Sequence, residues 1–277
     1  MTKSITDIVS LNNGISMPRF GLGTYKITDE KQARIAFQKA IDLGYRHFDT
    51  AALYDNEEIL GKVIRDSGIN RSEFFITSKL WNDDQGYEHS IDAFHRSNNL
   101  LNLDYMDLFL IHWPVKKYRL ESWKGLENVY ATGLVKAIGV SNYMAHHLSE
   151  LLDSCNTPPA VNQIELSPFN YNSRKKVINL CRKNQIHITA YCPLTRGVKL
   201  KDIRLVSLAS KYNKTAAQIL ICWGLQNEII EIPKSGNINR IAENADIFDF
   251  YLSEADMSAI SKWDENLAVS WDPTKAV

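Results

Sequence analysis

The sequence has no excess of either charge: 32 Lys and Arg face 32 Asp and Glu, and the formal net charge is zero. A chain without a global field does not gather phosphate backbones or anionic membrane surfaces, so no nucleic-acid partner and no membrane partner is expected. There is no run of roughly 18 apolar residues, the length that a membrane-spanning helix needs. The opening Met1-Thr-Lys-Ser-Ile-Thr-Asp7 lacks the apolar stretch of a secretory signal, so a soluble, cytoplasmic protein is the expectation. Cysteine is sparse. Cys155, Cys181, Cys192 and Cys222 are scattered without a C-x-x-C pair, which argues against a zinc site or a redox dithiol and for reduced thiols. His89, His146 and His147 have no carboxylate or third histidine at ligand spacing, so no metal site is expected. The short runs Lys116-Lys117 and Lys175-Lys176 read as exposed surface. No Gly/Ser- or Pro-rich linker divides the 277 residues, and the chain reads as one domain, 1–277.

What the chain does hold is apolar material, 44% of its residues, enough for one sizeable core. It is arranged in strand-length runs at 20–25, 47–50, 74–80, 106–113, 134–142, 160–166, 186–194 and 229–235. Helix-period segments lie between them at 29–43, 57–67, 87–101, 120–131, 145–152, 173–184, 215–225 and 238–245. Strand starts recur about every 25–32 residues until the last, the spacing of a strand plus a crossover helix. Runs such as Asp107-Leu-Phe-Leu-Ile111 are apolar without alternation, as parallel strands covered on both faces should be. Eight such units predict an α/β fold, a (β/α)₈ TIM barrel, with a doubly wound sheet as the alternative. Asn13-Gly14 between short β-prone arms predicts an N-terminal β-hairpin, placed to cap the bottom of the barrel. Ser253 followed by acidic residues predicts a C-terminal accessory helix.

In such a barrel the C-terminal strand ends build the active site. Four polar side chains stand there: Asp49, Tyr54, Lys79 and His112. Taken singly, each has an ordinary explanation as an ion pair, a packing aromatic or a strand-end histidine. Together they form a carbonyl-reducing set. Lys79, held charged by Asp49, is expected to stabilise the phenolate of Tyr54 and draw its pKa down. Tyr54 then acts as general acid to a carbonyl oxygen while His112 donates a hydrogen bond to it. The hydride needs a carrier. Gly21-Leu-Gly23 begins a dinucleotide fingerprint, but Lys26 stands where its third glycine belongs, so that site is rejected. The segment 232–244 is the better candidate. Lys234, Ser235, Arg240 and the N–H groups of the helix start can surround a phosphate, and a guanidinium suits the 2′-phosphate of NADP.

With these residues assembled, the sequence resembles the aldo-keto reductase superfamily along nearly its whole length. The resemblance is carried by Met17-Pro-Arg-Phe-Gly-Leu-Gly-Thr-Tyr25, Gly44-Tyr-Arg-His-Phe-Asp-Thr-Ala-Ala-Leu-Tyr54, Ile76-Thr-Ser-Lys-Leu-Trp81, Leu110-Ile-His-Trp-Pro114, Ile138-Gly-Val-Ser-Asn142, Val161-Asn-Gln-Ile-Glu165 and Ile232-Pro-Lys-Ser235. It implies a (β/α)₈ barrel, NADPH bound without a Rossmann domain, and the tetrad Asp49, Tyr54, Lys79 and His112. It further implies that Ser141, Asn142 and Gln163 hold the nicotinamide carboxamide and that Tyr191 stacks on the ring. Lys234, Ser235 and Arg240 would clamp the 2′-phosphate, Glu243 and Asn244 would lie near the adenine, and Tyr25, Trp81 and Trp113 would line the substrate pocket.

The chain looks most like bacterial members that reduce glyoxal and methylglyoxal, or 2,5-diketo-D-gluconate. The expected function is therefore NADPH-dependent reduction of small aldehydes and α-dicarbonyls by a monomer. The alternatives are a non-catalytic NADPH-binding sensor or partner-binding module, and a diketogluconate-type ketone reductase. Ser167, Cys192 and Thr195-Arg196-Gly197 depart from the pattern of many relatives. The short tail after Trp263 implies an open, permissive pocket.

Overall fold

The computed structural model describes residues 4–275; the first three residues of the polar opening segment and the last two of the chain lie outside it. Two short strands come first, β1 (Ile8–Ser10) and β2 (Ser16–Pro18), paired antiparallel. Gly14 sits between them with φ +85°, a left-handed turn position that glycine takes without strain. Then eight parallel strands follow: β3 (Leu22–Gly23), β4 (His47–Asp49), β5 (Phe75–Leu80), β6 (Met106–Ile111), β7 (Val135–Ser141), β8 (Val161–Glu165), β9 (His187–Tyr191) and β10 (Ile230–Glu231). They are hydrogen-bonded in chain order from β3 to β10. Parallel bridges from Phe20 to Glu231 and from Gly23 to Lys234 join the two ends, and the sheet closes on itself. This is the barrel the periodicity predicts, not the doubly wound alternative.

A helix follows each strand: α1 (Glu30–Asp42), α2 (Glu57–Asp66), α3 (Tyr87–Leu101), α4 (Arg119–Ala131), α5 (Ala145–Leu152) and α6 (Lys175–Lys183) after β3 to β8. The interval after β9 holds two, α7 (Ile203–Tyr212) and α8 (Ala216–Gln226). Sequence reading expects one helix there; α7 is the addition that stretches the last repeat. It buries only Leu205 and Ala209. By contrast, α8 buries nine of its 11 residues and shows little amphipathic period, because it is enclosed on almost every side. After β10 come α9 (Ile238–Ala245) and α10 (Glu254–Ile260), the latter capped by the Ser253 side chain accepting from Asp256 N–H.

Two apolar clusters result. The larger fills the layer between strands and helices. The smaller lies inside the lower barrel, where Phe75, Leu108, Ala137, Val161 and Ile230 meet Leu11 and Met17 of the hairpin. The hairpin plugs the N-terminal end, tied there by Asn12 Nδ2 to the Pro159 carbonyl (3.0 Å) and Asn13 Nδ2 to that of Lys136 (2.9 Å). With the bottom sealed by apolar side chains, polar chemistry is confined to the opposite mouth.

Candidate active site

Asp49 is the last residue of β4, Lys79 the penultimate residue of β5, and His112 the first residue beyond β6. Tyr54 ends a short 3₁₀ turn, Ala52–Tyr54, that follows β4 and swings the phenol back over the mouth. Lys79 is fully buried. Its Nζ donates to Asp49 Oδ1 at 2.5 Å and to the Thr50 carbonyl at 2.8 Å. Gln163 Nε2 reaches across from β8 to the other Asp49 oxygen at 2.7 Å, which shows that both side chains point into the barrel. The Lys79 Nζ lies 4.9 Å from the centre of the Tyr54 ring. The His112 ring meets Tyr54 edge-on at 5.7 Å and Trp81 at 5.1 Å, and Tyr25 packs on Tyr54 at 5.0 Å.

Burial lowers the Lys79 pKa, and the Asp49 carboxylate opposes that fall. Burial likewise lowers that of His112 well below its ordinary value, with Lys79 adding to the effect, so the imidazole is neutral. The Nδ1 of His112 is buried without a protein partner. Tyr54 corrects the sequence-based expectation. Its pKa is not drawn down but raised well above 10.0, first by burial and then by the Asp49 charge. The reason is that burial disfavours the phenolate, and the nearby Asp49 carboxylate disfavours it further. The phenol is protonated at neutral pH, the state in which an acid holds a proton to give.

A second network lies beside this one. Asn142 takes a left-handed backbone (φ 65°), which asparagine tolerates. Its Nδ2 donates to the His112 carbonyl (2.9 Å) and to Ser141 Oγ (3.1 Å), while its Oδ1 accepts from Tyr191 Oη at 2.6 Å. Ser141 Oγ donates to the Gln163 carbonyl at 3.0 Å. These bonds lock four of the expected cofactor residues to one another and to His112.

All of this opens into one cavity of about 1020 Å³. Every predicted site residue except Lys79 lines it: Tyr25, Asp49, Tyr54, Trp81, His112, Trp113, Ser141, Asn142, Gln163, Tyr191, Lys234, Ser235, Arg240, Glu243 and Asn244. Lys79 lies beneath the floor, fully buried. The far end of the cavity is cationic, with Lys26 close to Lys234 and with Arg240 in the same lining, while Arg196 lines the wall beside Cys192. The helix start there differs from expectation. Asn237 Oδ1 already accepts from the N–H groups of Asn239 (3.0 Å) and Arg240 (3.2 Å), so side chains rather than those amides face an anion. Ser235 Oγ bonds within the same turn, accepting from Asn237 N–H at 3.1 Å. Glu243 accepts from Thr215 Oγ1 at 2.7 Å.

Sequence reading assigns no role to Lys26, three residues beyond β3, or to Val269, Ser270 and Trp271 of the tail. All four line the cavity. The adjacency of Lys26 to Tyr25 was a usable signal. Nothing in the sequence places the tail at the mouth, where Val269, Ser270 and Trp271 stand. Among the described residues no cluster of His, Cys, Asp and Glu suits a metal ion, and no helix is long and apolar enough to cross a membrane.

Comparison with known proteins gives one pattern. The model of the aldo/keto reductase family matches residues 18–265. Glyoxal reductase of Bacillus subtilis is 45% identical over 273 residues, covering 99% of this chain and 98% of the relative. Methylglyoxal reductase DkgA of Escherichia coli K12 is 41% identical over 270 residues, 96% of each chain. The crystal structure of a Bombyx mori aldo-keto reductase in complex with NADP superposes with a TM-score of 0.89 at 34% identity, covering 98% of this chain and 96% of that one.

Proposed function

The chain belongs to the aldo/keto reductase family, and from that membership we propose that it reduces small aldehydes and α-dicarbonyls of the glyoxal and methylglyoxal type to alcohols with NADPH. The observation that carries the proposal is the buried Asp49–Lys79 pair set under Tyr54, with His112 against the phenol, at the floor of a cavity whose far end is cationic. The names of the Bacillus and Escherichia relatives support the substrate class.

The residues present fit a phosphorylated dinucleotide. A cavity of about 1020 Å³ exceeds what a three-carbon aldehyde occupies, and its lining carries four cationic side chains, Lys26, Arg196, Lys234 and Arg240. Lys234, Ser235 and Arg240 would take the 2′-phosphate, Glu243 and Asn244 the adenine, and Ser141, Asn142 and Gln163 the carboxamide, with the Tyr191 ring as a flat wall. NADPH bound there supplies the hydride that the carbonyl carbon accepts. Tyr54 holds the proton that the carbonyl oxygen requires, and its raised pKa keeps that proton in place until charge builds on the substrate oxygen. Lys79 is the ammonium beneath the ring, positioned to steady the phenolate left behind. His112, neutral, carries one ring N–H to donate to the same oxygen, and Tyr25, Trp81 and Trp113 enclose the substrate. One barrel domain holds both ends of the site.

The direct test is the fall in NADPH absorbance with methylglyoxal, glyoxal and a panel of small aldehydes. Turnover with several of them, faster with NADPH than with NADH, is expected. No NADPH consumption with any member of the panel overturns the proposal.

A further inference from the structure

Glu165 is the last residue of β8, two positions beyond Gln163, and the reduction scheme gives it nothing to do. Strand alternation puts residues i and i+2 on one face, so its carboxylate points toward the same mouth as the Gln163 amide. It is only 7% exposed. Its two oxygens accept two backbone bonds from the C-terminal tail: Val269 N–H on Oε1 at 2.7 Å and Ser270 N–H on Oε2 at 3.0 Å. Two adjacent amides on two oxygens of one carboxylate make a bidentate, charge-assisted clasp.

The rest of the tail is held farther back. The Phe169 carbonyl accepts from the N–H groups of Glu265 (3.0 Å) and Leu267 (3.1 Å), and Asn170 Nδ2 donates to the Leu267 carbonyl at 3.1 Å. Beyond the clasp comes Trp271, whose ring lies 5.6 Å from that of Trp113 at the cavity mouth. Trp271 is 67% exposed, so burial does little to hold it there. Ser270 lies close enough to the Tyr191 hydroxyl to lower its pKa against the larger raising effect of burial, and it lines the same cavity, which places the clasped segment beside the site itself.

We propose that Glu165 is a positioning residue for substrate selection: by clasping Val269 and Ser270 it sets Trp271 against Trp113 and narrows the entrance to carbonyls with small substituents. This rests on the carbonyl-reductase reading of the same cavity. Glu165→Ala removes both acceptors. Glu165→Gln keeps one and turns an N–H₂ donor toward an amide, so its effect is intermediate.

The test compares methylglyoxal with 2-naphthaldehyde, using the full chain and NADPH. In E165A the ratio of kcat/KM for the bulky aldehyde over the small one is expected to rise by about tenfold, through KM rather than kcat, because only the width of the entrance changes. W271A is expected to show the same rise, and E165A/W271A no further one, since the carboxylate acts through the tryptophan. Hydrogen exchange at the Val269 and Ser270 amides reads the clasp without turnover, with protection in the wild type that is lost in E165A. An active enzyme whose substrate ratio is unmoved in E165Q, E165A and W271A overturns the selection role and leaves the reductase reading standing. Unprotected tail amides in the wild type overturn the clasp. A wild type inactive on both aldehydes overturns the reductase reading and the selection role with it.

Discussion

Lys79 is the residue on which the site turns, and its burial decides its energetics. An ammonium with no solvent contact is tolerated because Asp49 and the Thr50 carbonyl hold it, and Asp49 in turn is held by Gln163. Removing one partner of such a pair strands the other charge. Lys79→Met is therefore expected to destabilise the fold by about 3–5 kcal/mol, measured by urea unfolding, because Asp49 remains buried without its cation. The double variant Asp49→Asn/Lys79→Met is expected to recover part of that loss, and a Lys79→Met protein that unfolds with the wild type contradicts the account. The identities of the four central residues were legible in the sequence, since strand-end positions in a barrel converge. The direction of the Tyr54 pKa was not. It depends on burial of the phenol and on its closeness to the Asp49 carboxylate, and neither has a signature in residue spacing.

Strands and helices were legible because a parallel strand covered on both faces must be apolar throughout, and helices covering it must be amphipathic. An element that departs from that logic leaves no such mark in the sequence. α7 lies outside the strand–helix period, and the plain 3.6-residue pattern gives no reason to separate it from the loop before α8. Contacts set by close approach are equally silent. Gly224 on α8 has no side chain where the Glu231 carboxyl from β10 lies; a Cβ built there would meet Glu231 Oε1 at 1.6 Å. Glu231 is fully enclosed, one of its oxygens has no partner, and burial raises its pKa well above the ordinary value. Its folded state therefore keeps a proton that the unfolded chain releases. The stability it contributes is complete below the unfolded pKa and declines as pH rises toward the folded one, by about 1.4 kcal/mol per pH unit. Glu231→Gln does not titrate, so its stability relative to the wild type is expected to rise between pH 5 and pH 8 in denaturant titrations. A gap that stays constant over that range contradicts an enclosed, proton-holding Glu231.

The barrel as a whole separates two tasks around one mouth. The ends of β4, β5 and β6 supply the acid and the groups that tune it, whereas the segment after β10 and the loops after β3 and β9 supply the cations. Closure of the sheet brings the β3 and β10 ends together, so one cavity runs from the phenol to the cationic end. Period and strand count made this architecture legible, but not the tail that crosses the mouth, because its anchor at Glu165 is 104 residues away in the chain. A scaffold divided in this way predicts that chemistry can be removed without removing binding. The most direct measurement is single-turnover oxidation of bound NADPH by methylglyoxal in Tyr54→Phe, alongside the NADPH dissociation constant of the same variant. The account predicts a rate lower by about 10²–10⁴-fold with the dissociation constant unchanged; a hydride-transfer rate equal to that of the wild type contradicts it.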